Sequence, residues 1–179
     1  MVLGVDKLLQ LVNEQGLVVG LSERELTNPE GCGFDLRIGE AYKLVSGGYL
    51  GIEERKTSKI KLVAKYKKGE KKVLDIKPGE CYLTNTVETV KLPNNVTAIL
   101  QPRSTLYKSG IIFRGGNVAP GYEGKMTYLL YNPSPNTFKI EMGARFVHIL
   151  FFEVKGKVNM YRGQWQGGRV AATKLEKQV

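Results

Sequence analysis

Long apolar runs are missing from this chain. None approaches the ~20 residues that a membrane-spanning helix requires, and the first residues lack the basic-then-apolar pattern of a secretory signal. The expectation is a cytoplasmic protein with no membrane partner. Cysteine is scarce as well: Cys32 and Cys81 stand far apart and outside any C-x-x-C spacing, which excludes a disulfide framework and a cysteine metal site. Both are expected to be buried free thiols. The only histidine, His148, falls in a strand-like run among Phe146, Val147 and Ile149. Packing or an interface contact is its expected role, ahead of proton transfer. No internal repeat is visible.

Acidic residues are outnumbered, 17 Asp and Glu against 27 Lys and Arg, for a net charge of +10. A basic surface gathers phosphates through counterion release. Here, however, the charge is concentrated between Arg55 and Lys72, around Lys67-Lys68-Gly69-Glu70-Lys71-Lys72. Lysines flanking a glycine turn are an ordinary means of solubilising an exposed hairpin and blunting its edge. A solvated hairpin is therefore expected, with a polyanion or partner surface as the alternative, and nucleic acid is not the expected partner.

What is present suffices for one domain. A chain of 179 residues with 42% hydrophobic content can bury a sizeable core. Asp6 can cap a first helix with Leu8, Leu9 and Val12 on one face, and Gly16 can end it. From Phe34 onward, short alternating runs are separated by turn residues: Phe34 to Ile38, Ile60 and Leu62, Val73 to Ile76, Tyr82 to Val90, Val96 to Leu100, Met126 to Tyr131 and Arg145 to Val154. This pattern suggests a mainly β sandwich, jelly roll or barrel. Residues 1–160 read as the domain. Residues 161–179, Gly- and Gln-rich and then charged, read as a flexible arm.

The chemistry concentrates between Pro102 and Leu130. Arg103, Ser104 and Thr105 at the start of a short helical turn offer a guanidinium fork and two hydroxyl donors to one anion, with Lys108 nearby. Pro120-Gly121-Tyr122-Glu123-Gly124 follows at a turn.

Taken in order, Gly33-Phe34-Asp35-Leu36-Arg37-Ile38-Gly39, Pro102-Arg103-Ser104-Thr105-Leu106, Pro120-Gly121-Tyr122-Glu123-Gly124 and Gly143-Ala144-Arg145-Phe146-Val147-His148 resemble successive motifs of the dCTP deaminase and dUTPase superfamily, in its archaeal deaminase-like branch. Tyr161-Arg162-Gly163-Gln164-Trp165-Gln166-Gly167-Gly168 is similar to that family's nucleotide-covering arm. The resemblance implies a distorted jelly roll or β-barrel of the dUTPase-like type and a homotrimer with sites between subunits. It also implies dUTP or dCTP bound with magnesium carried by the nucleotide phosphates. Arg103, Ser104, Thr105 and Lys108 would hold the phosphates, and Tyr122 would stack on the sugar. Tyr161, Gln164 and Gln166 would belong to the cover. Asp35 would anchor loops or subunits.

Two positions break the pattern. Where the family carries the aspartate that orders the attacking water stands Ala119. Where the deaminases carry a proton-shuttling glutamate stands Leu129. Neither can exchange a proton, so both family mechanisms lack their acid/base group. The covering arm departs too, with Gln164 and Gly168 where a lysine and a glutamine are usual; Arg162 or Arg169 could compensate. The expectation is a deoxypyrimidine triphosphate-binding protein with weakened or lost catalysis. The alternatives are an enzyme that recruits Glu123, Glu88 or Glu141, or a paralogous subunit that supplies the missing groups, and a β-rich interaction module.

Overall fold

The computed structural model describes residues 1–178. Helix α1 spans Val5–Gln15. Gly4, rather than Asp6, takes its N-cap position, and Asp6 lies in the first turn, where a carboxylate complements the helix dipole. Gly16 closes the helix at φ 67°, donating its N–H to the carbonyls of Leu11 and Val12. Leu8 and Leu11 are buried, and Leu9 and Val12 pack against the core. A second helix, α2 (Glu23–Thr27), has no signature in the sequence, because five residues are too few to show a period.

The remaining elements are mostly strands: β1 (Val18–Val19), β2 (Gly33–Leu44), β3 (Tyr49–Leu50), β4 (Glu54–Lys56), β5 (Ile60–Lys65), β6 (Val73–Ile76), β7 (Cys81–Lys91), β8 (Val96–Pro102), β9 (Ile112–Arg114), β10 (Glu123–Tyr131), β11 (Phe138–Glu141), β12 (Arg145–Glu153) and β13 (Glu176–Lys177). Helix α3 (Ser104–Lys108) follows β8. The main sheet runs β8-β12-β2-β7-β10-β9, with β1 on β7 and β5 on β2. Strand β2 organises it. Its first half pairs with β12 and its second half with β7 and β5, so most of its residues are buried on both faces. Phe34, Leu36, Ile38, Phe146, Ile149 and Phe151 fill the core there. The result is the mainly β, barrel-like architecture expected from the strand pattern.

The basic segment departs from expectation. It is not a hairpin: β5 pairs with β2, whereas β6 pairs with β11 in a separate two-stranded sheet. Turn residues at Gly69 announce a reversal but do not say which strands meet across it. The thiols also differ, since Cys32 is exposed and Cys81 only half-buried.

The C-terminal segment lies against the body. β13 pairs with β4, and Ala172 is fully buried. Thr57 brackets Ala172, donating its N–H to the Ala172 carbonyl at 2.8 Å and accepting the Ala172 N–H on its hydroxyl at 2.8 Å. The Arg55 guanidinium sits 4.7 Å from the Trp165 ring centroid, a cation–π geometry.

Candidate functional site

Two clefts hold the residues expected at the sugar and phosphates. The larger, of about 510 Å³, is walled by the loop from Gly116 to Ala119, by Tyr122, by Met126 and Thr127 of β10, by Leu83 of β7, and by Tyr161, Trp165, Arg169 and Val170 of the C-terminal segment. The Pro120-Gly121 turn shapes its rim. Gly121 has φ 81°, and a Cβ there would stand 2.6 Å from the Met160 side chain, so the turn suits glycine alone.

Tyr122 is buried, donates its hydroxyl to the Lys125 carbonyl at 2.8 Å, and meets Tyr161 edge to face with centroids 5.3 Å apart. Burial, with Tyr161 adding to it, pushes its phenol up to about 12, so it stays neutral and offers a ring. Gln166 clips the arm to this turn, donating to the Gly121 carbonyl at 3.1 Å and accepting the Glu123 N–H at 3.3 Å. Gln164 instead donates to the Lys177 carbonyl, within the arm itself.

Ala119 lines the cleft, whereas Leu129 does not. The β10–β7 register shifts only between Lys125 and Thr127, so Leu129 stays opposite Leu83 on one side and Arg114 on the other. No carboxylate and no histidine lines this cleft among the described residues. Of the substitute carboxylates, Glu88 is fully buried and holds Arg37 through its Nε at 2.6 Å and its backbone N–H at 2.9 Å. Burial raises its pKa against those bonds. Glu123 is exposed and lines another depression with Gln166 and Gly167, and Glu141 lines a different one beside Tyr66.

The second cleft, about 290 Å³, is lined by Glu30, Asp35, Arg103, Ser104 and His148. Arg103 is the N-cap of α3, and Thr105 and Lys108 are exposed outside this cleft. With five residues, α3 has a small dipole, so the guanidinium and hydroxyl must do most of any anion binding. Asp35 gathers the cluster. It accepts Arg103 and, at 3.0 Å, Arg145 on Oδ2, and it faces His148 Nδ1 at 2.9 Å through Oδ1. Behind it, the buried Glu25 carboxylate accepts the Asp35 N–H at 2.9 Å and pairs with Arg24 at 2.5 Å.

Sequence reasoning gave Asp35 an anchoring role and missed Glu25, Glu30 and Arg145. His148 and Asp35 face each other across the β12–β2 ladder, and nothing in their distant positions along the chain signals that pairing.

Comparison with known proteins agrees with this fold. A family model described as dCTP deaminase-like matches residues 2–154. The chain belongs to the dCTP deaminase-like family. It is 34% identical over 169 residues to the dCTP deaminase of Pyrococcus furiosus, covering 93% of this chain and 95% of that one. It is 30% identical over 169 residues to the dCTP deaminase of Pyrobaculum islandicum, covering 94% and 93%. Among solved structures it resembles the 2′-deoxycytidine 5′-triphosphate deaminase of Agrobacterium tumefaciens, with a TM-score of 0.63 at 16% identity. That match covers 84% of this chain and 46% of the other, so the chain spans less than half of the Agrobacterium protein. A D95N dUTPase from phage phi11 of S. aureus, whose structure concerns a structural Mg(II) ion, shares the fold at TM-score 0.51 and 14% identity, over 81% of this chain and 95% of that one.

Proposed function

We propose that this protein binds a deoxypyrimidine triphosphate, dUTP or dCTP, with sugar and ring at Tyr122 and phosphates on Arg103 and Ser104. In this reading the hydrolysis and deamination that depend on carboxylates at positions 119 and 129 are weakened or lost. One observation carries it: the cleft that would take the sugar and ring keeps the aromatic walls Tyr122, Tyr161 and Trp165 but is lined by no carboxylate and no histidine among the described residues. Such a cleft can stack and enclose a ring, yet it cannot move a proton. Binding that holds ground and transition states alike gives little acceleration.

The two clefts share no lining residue, and the cluster strands β8, β12 and β2 lie to one side of β7 and β10 in the sheet. A homotrimer that sets the charged cleft of one copy against the aromatic cleft of its neighbour would complete a site; a paralogous subunit could do the same. Magnesium would arrive on the phosphates and neutralise their charge. Among the described residues no three His, Cys, Asp or Glu side chains gather as a metal cage, and a hard cation that keeps several waters suits phosphate oxygens. No helix among the described residues is long and apolar enough to cross a membrane, and we place the protein in the cytoplasm with its nucleotide.

The test is a thermal-shift panel of dUTP, dCTP, dTTP and ATP with magnesium, since a ligand that binds only the folded state stabilises it by RT ln(1 + [L]/Kd). Selective stabilisation by dUTP or dCTP is expected. No nucleotide-dependent shift in Tm overturns the reading.

A further inference from the structure

The family's proton-transfer positions are empty of acids, but a histidine–aspartate pair lies beside the phosphate residues. Asp35 and His148 are register partners on β2 and β12, so both side chains leave the same face of the sheet. His148 Nδ1 stands 2.9 Å from Asp35 Oδ1. An ionised carboxylate only accepts, so Nδ1 carries the proton of the neutral ring and Nε2 keeps its lone pair. Nε2 has no hydrogen-bond partner among the described residues. The ring helps to line the same 290 Å³ cleft as Arg103 and Ser104.

Its surroundings hold this arrangement. Asp35 is fixed by Arg103 and Arg145 on Oδ2 and by Glu25 through its backbone N–H. Gly33 makes room for the ring: a Cβ there would stand 2.7 Å from Nε2 and overlap the Ile149 carbonyl. The charged groups around His148 are Asp35 on β2, Glu25 and Arg24 on α2, Glu30 after it, Arg103 at the head of α3, and Arg145 on its own strand. Burial lowers the imidazole pKa, Glu25 and Glu30 pull upward, and Arg103 adds to the lowering. The charge of Asp35 is already matched by two guanidiniums. The net direction is downward, which keeps the ring neutral and basic at neutral pH.

We propose that His148 is a general base for phosphoanhydride hydrolysis, with Asp35 as its positioning residue. The proposal rests on the nucleotide reading above and adds a reaction to it. Arg103 and Ser104 hold the phosphate chain. A water oxygen bonds to phosphorus, and the bridging oxygen leaves with the electron pair of the broken P–O bond as phosphate or pyrophosphate. One water proton passes to His148 Nε2 and then to solvent, while the other stays on the product phosphate. The step needs no carboxylate at position 119 or 129 and makes no demand on the base of the nucleotide. It therefore predicts slow hydrolysis of dUTP and dCTP at similar rates, without release of ammonia.

The experiment is single-turnover hydrolysis with magnesium and protein in excess over labelled dUTP or dCTP, from pH 5 to pH 8, for wild type, His148→Gln and His148→Ala, alongside nucleotide-dependent thermal shifts. The wild-type rate is expected to rise with pH through one ionisation below about 6.5 and then level off. His148→Gln should be slower by about 10²- to 10⁴-fold with its nucleotide shift retained, and added imidazole should restore part of the rate of His148→Ala. A wild-type rate that is flat across this range overturns the proposal even if no variant folds. So does a His148→Gln protein with wild-type rate and pH profile, or one whose nucleotide shift is lost along with its rate, which would make His148 a phosphate ligand. Wild type that is stabilised by nucleotide yet releases neither phosphate nor pyrophosphate overturns the base alone. Wild type with no nucleotide shift overturns the binding reading and this step with it.

Discussion

Arg103 is not a free guanidinium: it is paired with Asp35, a buried carboxylate that also holds Arg145 and His148. An arriving phosphate must therefore share or displace that partner. The pairing also holds the Arg103 fork in place ahead of any ligand, which lowers the ordering cost of binding.

Replacing Arg103 with Ala should weaken triphosphate binding by about ten- to a hundredfold, the equivalent of roughly 1.5–3 kcal/mol for a charge-assisted hydrogen bond. The fold should survive, because Asp35 keeps Arg145 and His148. Titration of dUTP into the folded variant, followed by calorimetry, checks this; unchanged affinity would remove Arg103 from the site.

The basic segment should divide into two behaviours. Neutralising Lys67, Lys68, Lys71 and Lys72, all exposed, should leave nucleotide affinity unchanged and alter solubility or polyanion binding. Arg55→Ala should instead loosen the C-terminal segment, since it removes the ring contact with Trp165, worth about 0.5–2 kcal/mol. Faster hydrogen exchange in residues 161–178 is the expected readout, and exchange no faster than wild type would show that the arm does not depend on Arg55.

Wild-type dUTP hydrolysis and dCTP deamination should both fall far below those of family members that carry the two carboxylates. Ala119→Asp should be tolerated, as the residue is half-buried at the cleft wall. Leu129→Glu places a carboxylate between Leu83 and Arg114. The cross-strand arginine offsets part of its desolvation by about 0.2–1 kcal/mol. Pyrophosphate and ammonia release from wild type and both variants measures the outcome, and robust wild-type turnover with ammonia release would defeat the weakened-enzyme reading.

Glu40 should set part of the acid stability. Burial pushes its carboxyl upward, but bonds from Lys65 at 2.8 Å, Tyr42 at 2.5 Å and Asn85 at 2.8 Å outweigh that and lower it from 4.5 to about 2. A depressed folded pKa means that the unfolded chain takes up the proton first. The stabilisation is thus full above pH 4.5 and is lost as pH falls towards 2. Glu40→Gln should flatten this part of the stability profile in denaturant titrations at several pH values. A slope equal to wild type would assign the acid loss to other carboxylates.

Periodicity and turn residues were enough to place α1, the longer strands and the barrel-like class, because alternation and glycine punctuation are local properties of the chain. The Pro102-Arg103-Ser104-Thr105 and Pro120-Gly121-Tyr122 stretches stood out as short motifs read within a few residues, whereas Ala119 and Leu129 stood out only against the pattern of the family that those motifs resemble. Strand partnership was not legible. Which strands meet across the Gly69 turn, and which carboxylate faces His148, depends on the order β8-β12-β2-β7-β10-β9, and no spacing in the chain encodes it. Tertiary structure alone brought Glu25, Asp35, Arg103, Arg145 and His148 into one cluster and drew Trp165 under Arg55. The physical reason is that a buried charge is tolerable only where partners from distant strands converge on it, and that convergence is a property of the folded sheet.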